Sequence, residues 1–429
     1  MKRFSTSVSL LIILGVIYWS FADLKPSLNT SKNLSETDFS TDNALNHLKK
    51  ISKEAHYVGS KEHKKVQNYI VSELQKMGFQ TEIQTQTALN KKWFAATTAE
   101  NIIAKLKGTG SKKALMLLTH YDSNPHSSLG ASDAGSGVVT ILEGLRAFIA
   151  KNETQKNDIV VLISDAEELG LLGAQAFVDA HSWTKDIGLI LNFEARGSGG
   201  PSYMLMETNG KNNKLLSEFL AAKPNFPAAN SLMYSIYKKL PNDTDLTVFR
   251  EKANINGLNF AFIGDHFDYH TAQDSYDRLD RTSLLHQADY FTTSLNYFSN
   301  SDLTDLHSEE DFVYVNFPFI KLITYPFSWV FPMVAFCGIL FLLLLFFGIS
   351  LSKIDLKGVL KGFIPFLISL ILCSGISFGL WKLLLIIHPQ YNDILHGFTY
   401  NGYHYIIAFV FLNLWLLFTI YKRTSKEEK

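Results

Sequence analysis

The chain has 429 residues, and 40 Lys+Arg against 40 Asp+Glu leave it formally neutral. That balance gives no reason to expect a nucleic-acid partner, whose phosphates call for a surplus of Lys and Arg. Two cysteines, Cys337 and Cys373, are too few for a disulfide framework or a thiolate-held zinc. Hydrophobic residues make up 47% and charged residues 19%, which is charge-poor for a soluble protein, so one sizeable domain plus a membrane part is expected.

Residues 1–22 open with Lys2 and Arg3 before an uncharged stretch from Ser5 to Ala22. They read as a signal anchor or a signal peptide, with Ser20-Phe21-Ala22 as a small-x-small site and retention favoured. Residues 23–43 are rich in Ser, Thr and Asn and read as a tether. Residues 44–305 have ordinary globular composition. There Lys61–Met77 spaces Val66, Ile70 and Leu74 for an amphipathic helix ended by Gly78. Ala114–Leu118, Ile159–Ile163, Ile187–Phe193 and Leu258–Ile263 are short apolar runs of buried-strand type, and Val138–Ala150, Glu168–Ala180 and Lys214–Ala222 look helical. The alternation predicts an α/β domain with a mainly parallel, helix-covered sheet.

Residues 306–324 read as a linker and 325–429 as a three-span membrane domain with a short tail. Tyr325–Ile349 and Tyr405–Tyr421 are uncharged, and Phe363–Ile387 is interrupted only by Lys382. With the N-terminal segment this makes about four transmembrane helices, one N-terminal and three C-terminal. Lys2 and Arg3, then Lys353, Lys357 and Lys361, then Lys422, Arg423 and Lys426 place both termini in the cytoplasm and the domain outside it. Sequons at Asn29, Asn33 and Asn152 matter only in a eukaryotic secretory pathway.

The chemistry gathers at the ends of the strands. Thr119-His120-Tyr121-Asp122 follows the first, and Ser132-Asp133-Ala134-Gly135-Ser136-Gly137 then opens a helix. Ser164-Asp165-Ala166-Glu167-Glu168 follows the second, Glu194-Ala195-Arg196-Gly197 the third, and Asp265-His266-Phe267-Asp268-Tyr269-His270 the fourth. Open α/β sheets bind ligands at that edge. Singly these are weak signals: a lone His-x-Asp is more often a surface turn, and Glu-Glu at a helix start is usually a favourable dipole contact. Together they concentrate His and carboxylate where only a positive partner makes the cost acceptable. Two imidazoles and three carboxylates exceed one catalytic zinc and suffice for a metal pair with one bridging carboxylate. Of the adjacent Glu167 and Glu168, one would ligate while the other faces the bound water as general base.

These blocks resemble the M28 zinc peptidases, an aminopeptidase-type family with a cocatalytic metal pair. The likeness is greatest to the membrane-bound branch that includes the vacuolar membrane protease. The matching stretches are THYDS (119–123), SDAGSGV (132–138), SDAEELGLLGA (164–174), NFEARGSGG (192–200) and DYHTAQDSYDRLD (268–280), with AHYVGSKEHKKVQNYIVSEL (55–74) similar to the family's N-terminal helix region. The resemblance spans roughly residues 44–300 and implies a zinc-peptidase sheet with two Zn(2+) per chain. It gives His120 and Glu194 to one zinc, Glu168 and His270 to the other, and Asp133 to both. Glu167 falls on the general base and Asp122 on the carboxylate that supports His120. Tyr-His-Thr is what selects His270 over His266. Many soluble members have Asp where this chain has Glu194, and Pro241–Asp245 lies where members carry differing specificity residues.

The expected function is therefore a membrane-anchored dinuclear zinc peptidase, an aminopeptidase, acting outside the cytoplasm on peptide substrates, with membrane lipid as its other partner. A bacterial cell membrane is favoured and a vacuolar membrane is the alternative. Two other readings are a glutaminyl-cyclase-like single-zinc acyltransferase and a non-catalytic receptor-like ectodomain.

Overall fold

The computed structural model describes residues 2–27, 34–110, 112–239 and 243–427, with side chains from residue 7 to residue 423 within those ranges. The sequons at Asn29 and Asn33, the pair Pro241-Asn242, and the side chains of Lys2, Arg3 and Lys426 lie outside the described residues. The chain divides in sequence between Phe327 and Ser328 into two compact units.

The first unit opens with α1 (Lys2–Ala22), α2 (Thr41–Ile51) and α3 (Lys61–Lys76), followed by β1 (Gln80–Asn90), β2 (Ala95–Leu106) and β3 (Ala114–His120). Then come α4 (Gly135–Ala150), β4 (Ile159–Ser164), α5 (Leu172–Ala180), β5 (Ile187–Ala195) and β6 (Gly199–Glu207). Helices α6 (Asn213–Ala221), α7 (Ser231–Tyr237) and α8 (Asp245–Val248) lead to β7 (Gly257–Gly264), α9 (Arg281–Phe298), β8 (Phe312–Phe317) and β9 (Lys321–Pro326). Ser40 and Ser60 start α2 and α3 by accepting the N–H groups of Asn43 and His63, donors that a first helical turn leaves unpaired.

Seven strands form one sheet in the order β1-β2-β4-β3-β5-β7-β6. The four central strands β4, β3, β5 and β7 run parallel, whereas β1, β2 and β6 join antiparallel at the flanks. The central strands are the four apolar runs of the sequence, because a strand covered on both faces must be apolar throughout. Leu115 and Leu117 enter a core shared with α2, α3, α4 and α9, while Ala114, Met116 and Leu118 enter the opposite core with α5 and α8. Burying each such leucine contributes about 1.5–3 kcal/mol. Helix α4 reaches the sheet closely because Gly137 carries no side chain, and a Cβ there would meet Thr119 Oγ1 and the Phe193 carbonyl.

Residues 306–324, read as a linker, instead hold β8 and most of β9, a two-stranded sheet with Tyr314 buried in the first unit's core. Helix α2 likewise begins inside the stretch read as a tether, and Arg146 donates to the carbonyls of Glu36 and Asp38.

The second unit consists of α10 (Val330–Ser350), α11 (Leu356–Ile387) and α12 (Gly402–Glu427). Three segments, Phe327–Ser350, Leu356–Ile387 and Gly402–Arg423, are long and apolar enough to cross a membrane, with mean hydropathy 2.8, 2.2 and 1.8. Helix α1, expected as a fourth span, is apolar over the shorter stretch Ser7–Ala22.

Candidate metal centre

Sheet register brings the first ligand candidates together. β3 and β5 pair Leu118 with Asn192, so two residues further along each strand His120 and Glu194 emerge side by side. His120 is also in register with Ser164, after which the chain turns through Glu167 and Glu168. The loop after β7 returns His270 to the same edge, and the loop before α4 supplies Asp133.

Asp133 lies at the middle. Its Oδ1 is 3.2 Å from His120 Nε2 and its Oδ2 is 3.2 Å from His270 Nε2. His120 Nε2 is also 3.6 Å from Glu194 Oε2, and His270 Nε2 is 3.0 Å from Glu168 Oε2. Glu167 falls with His120 and Glu194 in one group of close ligand atoms, and Glu168 with His120 and Asp133 in another. All seven residues singled out in the sequence, Asp122 included, are thus drawn into one cluster. His266 is placed differently: its Nδ1 is 2.5 Å from the carbonyl of Arg196, and its ring stacks on Tyr269.

The two glutamates stand in a turn, not at a helix start, because α5 begins only at Leu172. Ala166 and Leu171 adopt left-handed backbone (φ 54 and 62), which costs a residue with a Cβ some strain. The turn is held by several bonds at once. Asp122 Oδ1 and Oδ2 accept the N–H groups of Glu167 (3.0 Å) and Glu168 (3.2 Å), and the Glu167 carbonyl accepts from Gly170 and Leu171. Toward His120, Asp122 offers its backbone carbonyl at 3.0 Å from Nδ1, nearer than its carboxylate at 3.4 Å.

The electrostatics fit a site built around positive charge. Burial alone would lower the His120 pKa, but the carboxylates of Glu194 and Glu167, with bonds to Asp122 and Asp133, raise it well above 6.5. Burial also opposes charge on His270, yet bonds to Asp133 and Glu168 push it up to about 10. Asp133 moves below the usual carboxylate range because the two imidazoles outweigh its burial. Burial and the neighbouring Asp133 push Glu168 up to about 7, and burial lifts Glu167 well above 4.5, with Glu194 and Glu168 adding to it. Glu168 Oε1 is buried with no protein partner, although Asn124 donates to Oε2 at 2.8 Å. An orphaned carboxylate oxygen beside two converging imidazoles is what a cation would satisfy.

Two carboxylates behind the cluster were given no role in the sequence reading, although Asp274 lies in the matching stretch 268–280 and Asp245 ends Pro241–Asp245. Asp274 is buried and accepts the N–H groups of Ser132 (2.7 Å) and Asp133 (3.2 Å), pinning the loop that carries Asp133. Asp245, also buried, receives a short hydrogen bond from Ser164, and burial pushes it up to about 7. Both roles depend on tertiary placement, and no local spacing announces them.

Known proteins bear on the domain as a whole. Residues 101–294 match the family model described as Peptidase family M28. The vacuolar membrane protease of Candida dubliniensis is 31% identical over 330 residues, 73% of this chain and 34% of that one. Endoplasmic reticulum metallopeptidase 1 of Rattus norvegicus is 32% identical over 212 residues, 49% of this chain and 23% of that one. The chain therefore spans about a third and a quarter of the length of these two curated relatives. Glutaminyl cyclase of Porphyromonas gingivalis superposes with a TM-score of 0.50 at 19% identity, over 61% of this chain and 98% of that one, a likeness of fold alone. Residues 101–294 of the chain thus form a domain of Peptidase family M28 type.

Proposed function

We propose that the chain is a membrane-anchored dinuclear zinc peptidase that removes N-terminal residues from peptides, with Glu167 as general base. The observation that supports it most directly is Asp133, whose two oxygens face two different imidazoles at 3.2 Å each. His120 and Glu194 would hold one zinc, Glu168 and His270 the other, and Asp133 both. When bound, zinc polarises the scissile carbonyl and makes water a nucleophile at neutral pH.

The chain's own groups do the remaining work. Glu167 accepts a proton from the attacking water and delivers it to the departing amine, so one water and one peptide bond become a carboxylate and a protonated amine. Asp122 keeps that carboxylate in place through the backbone of the turn. Asp274 fixes the position of Asp133 through its N–H. The basic residues flanking the spans support a domain on the non-cytoplasmic side with both termini in the cytoplasm. A bacterial cell membrane is the favoured location and a vacuolar membrane the alternative.

The test is zinc content of the full-length protein in detergent, alongside hydrolysis of free-amine and N-acetylated peptides. Two zinc per chain with hydrolysis of only the free-amine peptides is expected. One zinc with cyclisation of N-terminal Gln and no hydrolysis would replace this reading by the glutaminyl-cyclase-like one. Absence of zinc and of both activities would leave a binding ectodomain.

A further inference from the structure

The edge of the metal centre carries a cation that the hydrolytic mechanism does not use. Arg196 lies two residues beyond Glu194, just past the end of β5. Its guanidinium is 5.7 Å from the centre of the Tyr237 ring and 5.9 Å from that of Tyr269. Tyr269 in turn stacks on His270 with centroids 3.7 Å apart, so one aromatic ring separates the cation from a proposed ligand.

Arg196 is half-buried, and its Nη2 donates to the Asp243 carbonyl at 3.2 Å. The Asp243 carboxylate is turned to Lys92 instead, at 2.9 Å. Among the described residues no carboxylate forms an ion pair with Arg196. A guanidinium presents five N–H donors in a planar fork matched to a carboxylate, and one is engaged here by a protein acceptor. Partly removing such a charge from water without a paired anion is costly, which favours a site whose anion arrives with the ligand.

We propose that Arg196 is a substrate subsite that binds a carboxylate, and that this chain prefers peptides carrying one within reach of the scissile bond. The proposal rests on the peptidase reading. The carboxylate has two sources, the C-terminus of a dipeptide or an acidic side chain. The competing role is a counter-charge that only offsets the ligand carboxylates.

Full-length zinc-loaded protein in detergent separates these with three probes: Leu-Ala, Leu-Ala amide and Glu-Ala amide. One of the two carboxylate probes should exceed Leu-Ala amide in kcat/KM by roughly tenfold or more, the worth of a charge-assisted hydrogen-bonded pair. The preferred probe identifies the source. Arg196→Gln should abolish that preference chiefly through KM, and Arg196→Lys should restore part of it, both with zinc content unchanged. Wild-type protein without the preference, or a preference that survives Arg196→Gln, overturns the subsite. Equal loss on all three probes makes Arg196 a counter-charge and overturns it too. Calorimetric titration of the same probes into the Glu167→Gln protein, with and without Arg196→Gln, compares them without turnover. If wild-type protein hydrolyses nothing, the peptidase reading fails, and this titration still decides whether Arg196 selects carboxylates.

Discussion

Asp122 Oδ1 accepts the backbone N–H of Glu167 at 3.0 Å, and its other oxygen accepts that of Glu168 at 3.2 Å. One carboxylate therefore sets the position of two neighbours that have different proposed tasks. Asp122→Ala should lower kcat by roughly 10–100-fold, the usual effect of losing a group that orients a metal site. A kcat within twofold of wild type would show that the left-handed turn keeps its shape unaided.

The adjacent glutamates should separate by substitution. Glu168→Gln should lower bound zinc toward one per chain, because it removes the charge of a proposed ligand. Glu167→Gln should keep both metals and lose roughly 10²–10⁴ in turnover, the contribution of a positioned general base. Metal analysis and kcat on the two purified variants check this. Equal metal loss in both, or activity surviving Glu167→Gln, would defeat the assignment.

These residues were legible as candidates because they lie at or beyond the ends of strands that had to be apolar throughout. The choice of His270 over His266 and the role of each residue came from the family resemblance. The four central strands are continuous runs with both faces buried, so their ends could be located and the His and carboxylate residues beyond them counted. Strand β1 was not legible: QTEIQTQTALN is mostly exposed and gives no buried run. Helix α9 escaped because its buried side includes Ser283, His286, Gln287 and Ser294, which blurs the apolar stripe. The start of α5 was placed too early because Glu168 and Leu169 look helical in isolation. Gly170 (φ 107) and Leu171 break the helix there. Asp274 and Arg196 act through partners far away in the chain, and only the folded sheet reveals them.

Gly137→Ala tests how closely α4 must approach the strand ends. Replacing Gly by Ala inside a helix normally stabilises by about 0.5–1 kcal/mol. Here the new methyl would meet Thr119 Oγ1 and the carbonyl of Phe193, neither at the far end of a flexible side chain. Overpacking of this kind costs about 1–3 kcal/mol, so the net effect should be destabilising. Urea unfolding followed by tryptophan fluorescence gives the sign, and a stabilised variant would show that the helix can move outward freely.

His286 predicts an acid-side loss of stability. The ring is fully buried, with Nδ1 accepting the Ser202 N–H at 3.0 Å and Nε2 2.6 Å from the Phe226 carbonyl. Burial lowers its pKa from 6.5 to about 4. A depressed folded-state pKa means that the neutral ring favours folding fully above pH 6.5, and that this support disappears as pH falls from 6.5 to 4. The loss should approach about 3 kcal/mol at the lower end. Urea midpoints of wild type and His286→Gln across this range should converge toward acid. Parallel curves would remove His286 as the cause.

The centre draws its candidate ligands from residue 120 to residue 270, and it does so across the neighbouring parallel strands β4, β3, β5 and β7. Parallel neighbours pair only after a long crossover, so no short stretch of the chain can assemble even half of the ligand set by itself. During synthesis the growing chain passes through every length at which Asp133 has been made and His270 has not. Over that whole interval the candidate ligand set is incomplete. The candidate ligand set is completed only when β7 has docked and the loop after it brings in His270, so under the proposed function catalytic competence would arrive late in synthesis.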